Sequence, residues 1–145
     1  MRLWHYKLLP YLPDAQFKGQ LRELVAIMHD WRDKGKTNHL LINRVMDYPK
    51  SELTEYFVWY DVVHTNRYNR TVGDKYYKEF ASFGYKSQCV EKIFDGWHNT
   101  EYLRVCMANL YEKHHFGIGK SRITDEEWQR LCEGYKAITN EDYVI

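Results

Sequence analysis

The residues best able to do chemistry in this chain fall within its first two dozen positions. Met1 opens it, and an ordered N-terminus can use its α-amino group as a nucleophile. The ordinary pKa of that group is about 7.7–8.0, against about 10.4 for a lysine side chain, so a sizeable fraction is unprotonated near neutrality. Glu23 offers a carboxylate, and an amine held beside a carboxylate makes a minimal lyase site. Arg2 and Arg22 are candidate phosphate clamps, because a guanidinium meets a phosphate with two parallel hydrogen bonds. The ordinary alternative is a pair of exposed surface arginines. His39 follows the basic stretch Lys36-Thr37-Asn38 and is suited either to a phosphate or displaced nucleotide, or to a structural role. The segment His64 to Arg70 interleaves basic, amide and aromatic groups, as nucleic-acid-tracking segments and plain solvated loops both do.

Elements must position these groups, and the pattern is that of an all-α protein. Asp14 is the expected N-cap of a first long helix, with Phe17, Leu21, Leu24, Val25, Met28 and Trp31 forming its apolar stripe. Glu23 lies roughly 120–130° from that stripe at 100° per residue. It shares a polar face with Gln16, Gly19 and Gln20. Glycine inside a helix costs about 1 kcal/mol relative to alanine. Close approach of another backbone across this face would account for Gly19; an incidental glycine on a solvated face is the alternative. Ser51 is the expected cap of a second helix, with Leu53, Tyr56, Phe57, Tyr60 and Val63 inward, and a polar turn is expected from Asn66 to Gly73. A third helix runs from about Asp74 to Phe83 and stops at Gly84. A fourth runs near Thr100 to His114. Thr124 and Glu127 have capping-box spacing and open a last helix ending near Ile138. No composition shift divides the chain, so residues 1–145 read as one compact domain with the N-terminal segment packed on the first helix.

Composition excludes several classes. The chain has 145 residues, 44% hydrophobic and 28% charged, which suits a soluble globular protein. No apolar run approaches the roughly 20 residues of a membrane span, and no signal-peptide core follows the N-terminus. The expectation is a cytoplasmic protein with no membrane partner. Cys89, Cys106 and Cys132 lack paired spacing, Cys106 and Cys132 reading as buried thiols. The seven histidines show no ligand spacing and no phosphate-binding glycine loop occurs, so neither metal nor cofactor is expected. Residues 1–50 hold nine Lys/Arg against five Asp/Glu, a basic bias that coincides with the candidate chemistry. Aromatic residues reach 17%, with 13 Tyr, implying ring-rich packing in the core or stacking surfaces in a cleft.

Met1-Arg2-Leu3-Trp4-His5, Tyr11-Leu12-Pro13, Gln16, Gly19-Gln20 and Arg22-Glu23 resemble the opening of the pyrimidine-dimer DNA glycosylase and abasic-site lyase family of the phage endonuclease V type, in its smaller bacterial and phage branch. The match is specific over residues 1–24 and looser at His39, Phe80–Tyr85, Tyr102–Lys113 and Glu127-Trp128. The resemblance implies a compact helical domain acting on damaged or modified double-stranded DNA without a metal. The N-terminal amine attacks the sugar C1′, displaces the base and forms a Schiff base, and the glutamate moves protons for β-elimination. Carried onto this chain, Met1 is the nucleophile, Glu23 the acid–base group, and Arg2, Arg22, His39, Gln20 and Gln16 the expected DNA contacts. Three departures stand out. The founding enzyme exposes a threonine amine, whereas Arg2 here should prevent removal of Met1. Val25, Ala26 and Ile27 replace a further arginine. Asn140 to Ile145 does not reproduce the aromatic tail. The alternatives are a non-catalytic DNA-binding module or a phage–host interaction protein on the same scaffold, and the sequence leaves the oligomeric state open.

Overall fold

A computed structural model describes residues 2–85 and 92–145. Met1 and Cys89 therefore lie outside the described residues. The described residues form helices and no strand. The chain opens as an extended stretch, Arg2 to His5, followed by the short 3₁₀ helix η1 (Tyr6–Tyr11). Helix α1 (Asp14–Lys34) follows, then η2 (Ile42–Asp47), α2 (Lys50–Tyr68), α3 (Asp74–Phe80) with η3 (Ala81–Phe83), α4 (Thr100–His115), η4 (Gly119–Ser121) and α5 (Asp125–Thr139). None of these helices is long and apolar enough to cross a membrane.

The N-terminal dozen residues form the spine of the core. Leu3, Trp4, Leu8, Leu9 and Leu12 are buried among Phe17, Leu24 and Ile27 of α1, Tyr56 and Phe57 of α2, Leu110 of α4 and Leu131 of α5. Buried backbone outside regular structure has to find hydrogen-bond partners. Here side chains supply them. The Tyr56 hydroxyl donates to the Trp4 carbonyl (2.6 Å), the Trp59 indole N–H to the Tyr6 carbonyl (2.8 Å), and the Tyr102 hydroxyl to the Leu3 carbonyl. The Tyr6 N–H donates to His98 Nδ1 (3.2 Å). Part of the aromatic excess is thus explained: rings fill the core while their polar tips close the spine's backbone.

Local signals set most boundaries, with corrections. Pro13 occupies the N-cap of α1, and Asp14 is the first helical residue. Its carboxylate instead accepts from the Tyr68 hydroxyl (2.6 Å), and secondarily from Arg67 (2.8 Å), which hold it below the usual carboxylate range. Helix α1 also runs on through Lys34 and ends where Gly35 takes φ +73°, its N–H donating to the Trp31 carbonyl (3.1 Å). Pro49, rather than Ser51, precedes α2. That helix continues through Tyr68 to Asn69 at φ +59°, so the expected turn at Asn66 to Gly73 shrinks to its second half. The His64–Arg70 segment is therefore mostly helix. Arg67 is spent inside the fold, its guanidinium 4.4 Å over the Phe17 ring. The Thr124–Glu127 capping box forms in both directions. Cys106 is buried, which pushes its thiol up to about 11, but Cys132 is only half-buried.

Candidate active-site cleft

The extended N-terminal stretch crosses the polar face of α1 and is tied to it by three hydrogen bonds. The Arg2 N–H donates to Glu23 Oε2 (3.0 Å). The Trp4 N–H donates to Gln20 Oε1 (2.7 Å), and Gln20 Nε2 donates to the Arg2 carbonyl (2.8 Å). One primary amide thus acts as donor and acceptor to a single strand of chain, as a neighbouring β-strand would. Gln20 is 0% exposed, and Tyr56 also donates toward its Oε1 (3.3 Å). Its amide is turned inward onto the protein's own backbone, not outward to a nucleotide.

Beside this crossing opens a cleft of about 300 Å³. Gln16, Gly19 and Glu23 of α1 line it together with Arg2 and Trp4 of the N-terminal stretch. The Arg2 guanidinium sits 4.9 Å over the Trp4 ring, which holds a cation at the cleft. The remaining wall comes from far along the chain, from Lys113 in the last turn of α4 and Ser121 at the end of η4. Gln16 joins the two sides. Its Nε2 donates to the Ser121 carbonyl (2.9 Å), while its buried Oε1 has no protein partner. Since a carbonyl only accepts, this network fixes which end of the amide is which.

Gly19 is not explained by close backbone approach. A methyl built there would meet only Arg22 Nη2, at an ordinary 3.7 Å, and would face the cleft. The close approach lies instead at Gly134, mid-helix in α5, where a methyl would run into the Tyr11 ring. Arg22 is exposed, with its guanidinium folded back over Gly19. His39 is exposed on the turn after α1 and takes no part in lining the cleft. Glu23 and Lys34 are eleven residues apart, which is about 16 Å of helix.

Lys113 and Ser121 were not singled out from the sequence. Their partners in the cleft are about a hundred positions away, and the signal that could have found them is the acid-free basic stretch from Lys113 to Arg122. A larger cleft of about 580 Å³ lies between η1, α2 and α5. Its cations are already committed, Arg67 to Asp14 and Arg130 to the Pro10 carbonyl (3.0 Å), so its size does not make it the better candidate.

An N-terminal stretch lying across the first long helix, with the Arg2 N–H bonded to Glu23, agrees with the compact helical fold that the resemblance implies. No curated protein and no solved structure shows a significant match to the chain. The family model described as pyrimidine dimer DNA glycosylase matches residues 1–76, which include the N-terminal stretch, α1, η2 and α2. The chain belongs to the pyrimidine dimer DNA glycosylase family.

Proposed function

We propose that the protein is a DNA glycosylase and abasic-site lyase acting on damaged or modified double-stranded DNA, with residues 1–145 as one domain, the Met1 α-amine as nucleophile and Glu23 as the acid–base group. The observation that supports this most directly is the hydrogen bond from the Arg2 N–H to Glu23. Only three backbone bonds, about 4.3 Å of covalent path, separate a residue's own nitrogen from the next one. A carboxylate bonded to the Arg2 nitrogen is therefore one peptide unit from the residue that would carry the amine.

In this reading the amine attacks C1′ as the bond to the base breaks, and the base leaves with a proton. The attached amine gives up one proton, the C1′–O4′ bond breaks with O4′ taking up a proton, and the nitrogen is left as a protonated imine to C1′. A proton is then taken from C2′, the C3′–O bond breaks with the 3′-phosphate as leaving group, and water hydrolyses the imine to return the amine. Glu23 stabilises the positive charge that develops on the sugar and the imine, and it relays these protons. Arg2, Arg22 and Lys113 are the cations available to flanking phosphates. Gln16, with a free acceptor at the cleft, is placed to take a hydrogen bond from a nucleotide. Gln20 is a positioning residue, and His39 is a duplex contact outside the cleft.

Borohydride trapping on DNA with an abasic site tests the reading. The expected result is a covalent adduct on the N-terminal peptide of deformylated protein, with Glu23→Gln still binding DNA but cutting it at least a hundredfold more slowly. An adduct on Lys113, or none, removes Met1 as the nucleophile. Glu23→Gln cutting at near wild-type rate removes the role of Glu23.

A further inference from the structure

The segment that closes the cleft also carries two apolar side chains that are largely exposed. Phe116 is 74% exposed and Ile118 is 86% exposed, and both lie between the cleft residues Lys113 and Ser121. Each is three residues from a cleft-lining residue, so no more than about 11 Å of chain separates it from the cleft. That span is about three base steps of a duplex.

This loop is held in shape. The Ile123 N–H donates to the Lys113 carbonyl (3.3 Å), closing its base, and the Arg122 N–H donates to the Gly119 carbonyl (3.3 Å). His114 Nδ1 lies 3.1 Å from the Ile123 carbonyl, and Gln16 bonds the Ser121 carbonyl from α1. A side chain at residue 117 would collide with the Lys113 carbonyl, so only glycine lets the loop fold back so tightly. A preformed loop loses little entropy on binding.

The charge around the tip selects the partner. From Lys113 to Arg122 the chain holds two lysines, an arginine and two histidines and no carboxylate. His114 pairs with Asp125 (3.6 Å), but Lys113, Lys120 and Arg122 have no carboxylate within ion-pair distance among the described residues. An apolar tip flanked along the chain by unpaired cations does not suit a dry core. It suits an apolar stack flanked by anions, which is what a DNA duplex presents to a wedge.

We propose that Phe116 and Ile118 form a wedge that enters the base stack of double-stranded DNA beside the nucleotide held in the Glu23 cleft, with Lys120 and Arg122 on the flanking phosphates. This rests on the DNA reading above and adds the device that opens the duplex. Unstacking a base step costs a few kcal/mol, and an inserted ring restores part of the lost stacking. Leu40 and Leu41 are as exposed (88% and 87%), but they sit beyond the far end of α1, away from the cleft.

The test uses a duplex carrying a tetrahydrofuran abasic analogue, which cannot form an imine, with 2-aminopurine next to it. The wild-type protein is expected to raise 2-aminopurine fluorescence several-fold. Phe116→Ala/Ile118→Ala is expected to abolish that rise and weaken binding about tenfold with the salt dependence unchanged. Leu40→Ala/Leu41→Ala, with thermal melts confirming that both variants fold, should behave as wild type. A wild-type protein that leaves the fluorescence unchanged, a Phe116→Ala/Ile118→Ala protein that raises it fully, or an equal loss in both variants overturns the wedge. Trapping at a natural abasic site is read separately, so failure of the chemistry and failure of the wedge are distinguishable.

Discussion

The Glu23 carboxylate and the Arg2 backbone nitrogen are hydrogen-bonded at 3.0 Å, so the proposed acid–base group touches the chain one peptide bond from residue 1. Gln20, one helical turn earlier on α1, makes that contact possible by bonding the residues on either side of Leu3.

Gln20 is accordingly expected to act through position alone. Gln20→Met keeps the volume but leaves the Trp4 N–H and Arg2 carbonyl without partners, at about 1–3 kcal/mol for each buried group. Urea unfolding should show a loss of about 2–6 kcal/mol, and strand cleavage should fall with it. The salt dependence of DNA binding should stay at the wild-type slope, because no phosphate contact is removed. Arg22→Ala should do the opposite, lowering the slope by about one unit with little change in stability. A reduced slope for Gln20→Met would return it to the DNA interface.

The two mid-helix glycines should respond with opposite signs. At Gly19 an added methyl meets only the end of the Arg22 side chain, so Gly19→Ala should gain helix propensity, up to about 1 kcal/mol of stability. The same methyl enters the cleft, and cleavage of abasic DNA should slow. At Gly134 the methyl strikes the base of the Tyr11 ring, and overpacking of this kind costs about 1–3 kcal/mol, more than the propensity returns. Thermal melts should therefore place Gly19→Ala above wild type and Gly134→Ala below it.

Two buried histidines set an acid limit on stability. Burial lowers the His5 pKa from 6.5 to about 4 and drives His98 below its ordinary value too. Between pH 6.5 and 4 the unfolded chain binds protons at these sites that the folded one refuses, so stability is full above pH 6.5 and falls as the pH drops. For His5 alone the loss by pH 4 is about 3 kcal/mol. His5→Asn, which keeps an acceptor for the Lys7 N–H, should flatten the unfolding free energy over this window. A slope equal to wild type in that variant would assign the acid loss to other groups.

Much of this molecule was legible locally. Helical periodicity put Gln16, Gly19 and Glu23 on one face of α1, and the spacing of Thr124 and Glu127 announced the start of α5, because these relations depend on backbone geometry within a few turns. The family signature in the first 24 residues was readable for the same reason. Contacts between distant positions were not. The turn expected at Asn66 was helix because Arg67 and Tyr68 both find Asp14, fifty residues earlier, and that pairing exists only once α1 and α2 are packed. The need for Gly134 likewise came from a ring on η1, not from its own helix.

The sequence by itself determined the helical class, the family and the face on which Glu23 lies. Tertiary structure alone decided that Gln20 would be consumed by the backbone it positions, and that Lys113 of α4 and Ser121 of η4 would complete the cleft from about a hundred residues away. Periodicity records which side of a helix is apolar. Which distant segment satisfies the polar atoms on the other side is settled by the cost of burying them unpaired, and that cost arises only in the packed molecule.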